Sequence, residues 1–443
     1  MIKKATQVLN PPFTSNRIGL LFHSLIVGVT TGVVVSIFRW IIDHTMDLLF
    51  TIYPQMSRNW LLIIPYGLLM VIICFLLGKI TGPYLDNLVG SGVPQVEAAL
   101  LGENKMNWWQ ILWRKFVGGL LAICPGLMLG REGPCIQMGA MIGQGYAESA
   151  FKVDEDEART LQEAGVAAGL SAAFSAPLAG AIFLVEEITF NFKPDKIISA
   201  LIACFSADLV TVFFLGTKPC LYLPVKGYLP LTAYIYLPLI GIVLGLLAYV
   251  YQFCLLSLKP IFSKLTIIPA KYHSIIPFLL IIPVGIFNAK LLGGSHVLIT
   301  TLFNQNLITN THLGSISLLL MPLLLFLIRY VFSMLSYGSS VPGGIFMPIL
   351  VLGTLLGVFF ANSLIQCNLI SSTYFPHIVI ISMAAYFGAI EKAPFTAIIL
   401  VTEMVGTVEQ VLPMVITTFV AYYVLDLIGG RPIYEALRIQ KGK

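Results

Sequence analysis

The chain has 443 residues, of which 57% are hydrophobic and only 11% charged, and its mean hydropathy is +0.89. A soluble domain carries about 25% charged residues, so the composition excludes a soluble globular protein and marks an integral membrane protein. The net charge of +5 fits basic flanks facing anionic lipid and does not point to nucleic acid.

In chain order, the start MIKKATQVLNPPFTSNR is basic and polar, and the apolar run after Arg17 continues well beyond a signal h-region without a small-residue cleavage site. Residues 1–17 are therefore expected to be a cytoplasmic N-terminal segment with no cleaved signal. Apolar stretches follow at 18–38, 60–78, 110–130, 164–185, 196–215, 232–257, 275–294, 315–336, 344–364, 375–390 and 394–428. Most are long enough for helices, but Gly and Pro cut several of them. Broken helices at membrane depth are tolerated only when buried in protein or lining an aqueous path, which favours a transporter or channel over a receptor-like bundle. Lys3, Lys4 and Arg17 at one end, with Arg431, Arg438, Lys441 and Lys443 at the other, place both termini in the cytoplasm by the positive-inside rule. Residues 438–443 form a short tail.

The seven cysteines are odd in number and scattered through apolar runs, so they read as buried free thiols. The six histidines have no metal-ligand spacing, and neither a metal nor a cofactor is expected.

Set against itself, the chain repeats. GREGPCIQMGAMIG (130–143) and GIFMPILVLGTLLG (344–357) share a Gly, a Pro four residues later, and Gly five and nine beyond that Pro. APLAGAIFLVE (176–186) and APFTAIILVTE (393–403) again keep Ala-Pro and a Glu nine residues after the Pro. Two ordered matches at a separation near 215 imply a duplication within the transport domain 18–437, with repeat one at about 18–215 and repeat two at about 232–437. Duplicated transporters put their substrate site at the repeat interface, on half-helix ends. Parallel and inverted arrangements both remain open at this point.

Three Gly-rich helix starts punctuate these halves: Gly90, Ser91, Gly92, Val93, Pro94; then Gly130, Arg131, Glu132, Gly133, Pro134; then Gly344, Ile345, Phe346, Met347, Pro348. Pro134 suits the first helical position, where its missing N–H costs nothing and its fixed φ fits. A helix beginning inside the bilayer leaves unpaired N–H groups and a partial positive charge, which together make an anion site. Backbone donors replace part of an anion's hydration shell without the tight trapping that a full cationic charge brings. Beside one such start lies Glu132, an ionisable group costing at least about 2.5–3.5 kcal/mol at membrane depth and so a functional candidate by default.

GSGVP, GREGP and GIFMP, in this order and spacing, resemble the three filter motifs of the CLC family of chloride channels and proton-coupled chloride antiporters. The resemblance covers nearly the whole chain, continuing through SAPLAGAIFLVEE, EKAPFTAIILVTEM and the terminal GGRPIYEAL. It implies an all-α integral membrane protein of two inverted repeats with broken and re-entrant helices, paired as a homodimer with one anion pathway per subunit. By the same resemblance Ser91 and Tyr434 offer hydroxyls to a central chloride, and Ile345 and Phe346 offer backbone N–H groups. Glu132 matches the gating glutamate: ionised, it competes with chloride for the helix-end site, and protonated it leaves. Arg131 is expected to anchor its loop.

Glu186 has a repeat counterpart in Glu403, which argues for a structural hydrogen bond in both halves. Glu187 has Met404 opposite it and matches the glutamate that delivers protons from the inside in family antiporters, a position that channels commonly make apolar. The expected function is therefore chloride/proton antiport at the inner (plasma) membrane, with a passive chloride channel or a fluoride/proton antiporter of the same fold as alternatives. An intramembrane hydrolase would need a Ser-Lys, paired Asp or HExxH set, and none is evident. Met347 and the GSSVPGG run at 338–344 depart from the commoner family pattern. The stop at Lys443 suggests a prokaryotic member without regulatory nucleotide-binding domains.

Overall fold

A computed structural model of the chain describes residues 15–442 apart from 224, 226 and 304–314. Lys3, Lys4, His312 and Lys443 lie outside the described residues, as does most of the expected segment 1–17. Among the described residues there are helices and no named strands, and eight helical segments are long and apolar enough to cross a membrane.

In the first half run α1 (Ser15–Arg58), α2 (Ile63–Thr81), α3 (Val93–Leu100), α4 (Trp108–Ile123), α5 (Glu132–Gly145), α6 (Glu155–Phe174), α7 (Pro177–Phe183) and α8 (Pro194–Leu215). The second half contains α9 (Leu237–Ser263), α10 (Ile275–Phe287), α11 (His296–Phe303), α12 (Ser315–Gly338), α13 (Phe346–Gln366), α14 (Phe375–Glu391), α15 (Pro394–Val405), α16 (Val411–Leu427) and α17 (Ile433–Gly442).

Two boundaries differ from the sequence expectation. The stretch at 18–38 is part of a 44-residue helix, because no Gly or Pro interrupts it between Gly32 and Pro54. The run 394–428 is two helices: Gly406, at φ +80, takes the left-handed conformation that ends α15.

Pairs of glycines weld the helices in the same way in each half. Where Gly28 and Gly32 of α1 face α8, an added Cβ would stand 2.3 Å from the carbonyl oxygen of Ala203 and 2.7 Å from that of Ala207. Gly241 and Gly245 of α9 press equally on α16, at 2.9 Å from the carbonyl oxygen of Thr417 and 2.7 Å from that of Ala421. Likewise Gly139 and Gly143 of α5 meet α6, and Gly353 and Gly357 of α13 meet α14. Small residues four apart let backbones touch, which is how helices associate where lipid supplies no hydrophobic contrast.

The two halves are inverted, and one contact makes this visible. Leu178 and Ala179 N–H, at the start of α7, donate to the Glu403 carboxylate at 3.1 and 2.8 Å. Reciprocally, Phe395 and Thr396 N–H at the start of α15 donate to Glu186 at 3.1 and 2.7 Å. Each helix is capped by the far end of the other, so the pair is antiparallel and exchanged by a two-fold axis across it. The expected structural role of both glutamates is seen, and a carboxylate at a helix start is also favoured by the dipole.

Gly139→Ala tests the welding. Its Cβ would stand 2.1 Å from the Gly165 carbonyl oxygen, and backbone there cannot step aside cheaply. The variant should lose about 1–3 kcal/mol of stability, seen as a lower thermal unfolding midpoint in detergent. Gly67→Ala, with nothing within 4 Å, should leave the midpoint in place; equal midpoints for the two variants would sink the close-packing argument.

Candidate functional site: three helix starts around a buried carboxylate

The three Gly-rich loops meet through their backbones. Gly90 N–H donates to the Val341 carbonyl at 2.9 Å and Gly343 N–H to the Gly90 carbonyl at 3.0 Å, while Gly130 and Gly344 bond each other in both directions at 2.7 Å. Gly133 lies against Ser91, where an added Cβ would come within 2.6 Å of the serine Cβ. Gly90 and Gly92 have φ of +76 and +92, a conformation that glycine alone takes without cost.

Helices α3, α5 and α13 begin at these loops, with Gly92, Arg131 and Ile345 as their N-cap residues, and none of the three has a side-chain cap. Their first-turn N–H groups thus converge, buried and uncapped, on one region. The prolines sit later than expected: Glu132 itself opens α5 and Pro134 is its third residue, as Pro348 is in α13. The whole first turn lacks intrahelical acceptors for its N–H groups, so proline is as harmless there as at the first position.

Ser91 is fully buried, and its Oγ accepts from Val93 N–H at 3.3 Å. Beside it stands the hydroxyl of Tyr337, within 2.9 Å of where a Cβ on Gly90 would lie. Tyr434 is also fully buried, and among the described residues its hydroxyl has no partner in good hydrogen-bond geometry. Tyr337, Glu391 and Glu187 are among its ionisable neighbours. Phe346 is held by ring contacts with Phe174, Phe183 and Phe387 at 5.4, 6.0 and 4.4 Å, which fixes the start of α13.

Glu132 has no exposed surface, and its carboxylate turns back toward the N–H groups of Met347 and of its own residue without meeting strict hydrogen-bond geometry. Arg131 does not pair with it. The guanidinium binds Asp43 of α1 at 2.5 Å, anchoring the loop as expected. Arg39 donates to the Ala172 carbonyl at 2.5 Å, and both arginines add positive potential at Glu132.

Two cavities reach this constellation without sharing a lining residue. One touches Leu129, Arg131, Asp43 and His296; the other touches Gly90 and Tyr337, with Lys259 and Lys441 also on its wall. Glu187 is 2% exposed, in a π-helical turn (Leu184–Thr189) that continues α7, so it is not a solvated helix-end residue. Such turns inside helices recur at functional sites.

Sequence reasoning missed three residues here. Lys115 is fully buried, and its ammonium donates to the Leu88 and Gly90 carbonyls at 2.9 and 2.8 Å, bracing the first loop and placing a positive charge behind Ser91. It stands inside the apolar run 110–130, so the argument used for Glu132 would have found it. Tyr337 carries no signal beyond being one more aromatic. Glu391, next to Lys392, looks in sequence like an ordinary helix-end charge pair.

Two inverted halves, broken helices and uncapped helix starts meeting at one buried point define a membrane transport protein for a small ion. The chain belongs to the voltage gated chloride channel family, the CLC proteins, whose signature matches residues 74–426. It is 30% identical over 435 residues to the H(+)/Cl(-) exchange transporter ClcA of Yersinia pseudotuberculosis, covering 94% of this chain and 87% of that one. To the protein of the same name from Vibrio cholerae it is 30% identical over 455 residues, covering 99% and 93%. Among solved structures, a slow cyanobacterial Cl-/H+ antiporter superposes with a TM-score of 0.85 at 27% identity, over 96% of this chain and 98% of that one.

Proposed function

We propose that this chain is a proton-coupled chloride antiporter, moving chloride one way and protons the other without covalent chemistry or a cofactor. The observation that carries the reading is the buried carboxylate of Glu132 among uncapped helix starts. Ionised, it is a tethered anion at the site chloride needs; protonated, it loses its hold on those N–H groups and releases the site. Ser91 and Tyr434 supply hydroxyls to the central ion, Ile345 and Phe346 supply N–H groups, and Glu187 carries protons between the cytoplasm and the site. Gly90 to Pro94, Gly130 to Pro134 and Gly344 to Pro348 then form the selectivity filter. Both termini face the cytoplasm of an inner, or plasma, membrane, and the subunit pairs as a homodimer, as the family resemblance implies.

Reversal potentials in reconstituted vesicles under opposed chloride and proton gradients test this. An exchanger departs from the chloride equilibrium potential; a passive channel stays on it, which would overturn the reading. Fluoride competition separates the fluoride antiporter, against which the intact Ser91 motif argues.

Ser91→Pro probes selectivity. Losing the hydroxyl leaves a roomier site with fewer donors, costing chloride about 1 kcal/mol or more. The resemblance adds that family members with proline there prefer nitrate. Nitrate transport should rise relative to chloride in competition assays; an unchanged ratio in a well-folded variant would make Ser91 a turn former only, through its bond from Val93 N–H.

A further inference from the structure

Glu391 is the last residue of α14 and has no part in the exchange cycle described above. It is fully buried, and among the described residues neither carboxylate oxygen has a hydrogen-bond partner in good geometry. The adjacent lysine does not neutralise it: Lys392 takes a left-handed backbone conformation at φ +56 and turns its ammonium to Asp426 and toward the Gly430 carbonyl. A buried ionisable group at this depth is expensive, and an apolar side chain would pack in its place at less cost.

Its location is specific. The Tyr434 phenol sits beside the Glu391 carboxylate. Gln252 ties the two segments together, donating at 2.8 Å to the carbonyl of Ile390, just before Glu391, and at 2.7 Å to that of Arg431, three residues before Tyr434. On its other side is Glu187, for which Glu391 is the most strongly felt charge. The charges felt by Glu132, in contrast, are those of Arg131 and Arg39. Glu391 therefore links Glu187 to the phenol of the central site. The titratable groups facing it are Glu97 from α3, Glu187 from the turn after α7, Tyr251 from α9, Tyr337 from α12 and Tyr434 from α17; none of these is a cation.

We propose that Glu391 is a third proton-carrying carboxyl of the transport path, receiving protons from Glu187 and presenting them to the anion site at Ser91 and Tyr434. This rests on the exchange reading above. In the transfer an O–H bond breaks at the Glu187 carboxylic acid and forms at the Glu391 carboxylate, so the negative charge moves back to Glu187 and no other reactant is needed. A chloride beside Tyr434 repels an ionised Glu391, so chloride and this proton favour each other's binding, and the linkage is reciprocal. Chloride affinity at the central site must then rise as pH falls, even with Glu132 neutralised.

The test uses full-length protein in vesicles and in calorimetry. Glu391→Gln, with Glu391→Leu as the second variant should the amide not fold, should lower chloride-driven proton uptake at least about fivefold while chloride still crosses. In a Glu132→Gln background, chloride should bind about fivefold or more tightly at acidic than at alkaline pH, and adding Glu391→Gln should flatten that slope. A merely structural Glu391 would not set the slope. Wild-type proton uptake in either variant together with an unchanged slope overturns the relay and leaves the exchange reading standing. A wild-type protein without chloride-driven proton uptake overturns both.

Discussion

Glu132→Gln abolishes chloride-driven proton uptake in reconstituted vesicles while chloride continues to cross. The side chain opens α5, is fully buried, and lies over Gly130, where an added Cβ would come within 2.3 Å of its Oε2. A carboxylate held there competes with chloride as an anion of effective concentration on the order of millimolar or above, set by its tether. The amide keeps the shape but carries no charge and binds no proton at working pH, so it neither displaces chloride nor shuttles. Chloride binding should tighten, because the internal competitor is gone. The fold should survive, since an uncharged amide is cheaper to bury than a carboxylate that Arg131 leaves unpaired. Uphill proton pumping driven by a chloride gradient in this variant would remove Glu132 from the proton path and with it the competition mechanism.

What could be read from the sequence was whatever leaves a local chemical mark. Glycine and proline at fixed offsets exposed the duplication, and a lone carboxylate among apolar residues exposed Glu132. The glycine pairs at 28/32 and 241/245 carry the same repeat signal, yet they went unnoticed because Gly four apart is common in membrane helices. Convergence of the three loops was out of reach, since it depends on backbone bonds between Gly90 and Val341 and between Gly130 and Gly344, which no side chain announces. Inversion was equally hidden in the residues themselves. Antiparallel capping by Glu186 and Glu403 shows it only once partners are known, because either glutamate could have capped a helix in its own half. Charges near helix ends misled in one direction. Glu391 beside Lys392 reads as a surface pair until the left-handed turn at Lys392 sends the two side chains apart.

Glu187→Val should stop proton flux and leave the chloride site nearly intact. Glu187 is buried in the π-helical turn after α7, and its interactions run to Glu391, Glu97 and Glu186, not to the filter loops. The neighbouring Glu186 would keep its cap on α15, so the inter-repeat contact survives the change. Removing a buried carboxyl that has no hydrogen-bond partner among the described residues relieves a desolvation cost, which offsets the cavity left by the shorter valine. Proton uptake should fall to the level of protein-free vesicles, because protons then lack a titratable group between the cytoplasm and the central site. Chloride affinity by calorimetry should change less than about threefold, or ~0.7 kcal/mol. Glu187→Asp, keeping a carboxyl on a shorter arm, should restore part of the proton flux, which a purely structural role would not produce. A loss of chloride binding in Glu187→Val as large as that of a Ser91→Ala, Tyr434→Phe double variant would instead place Glu187 within the ion site and leave proton delivery to another group.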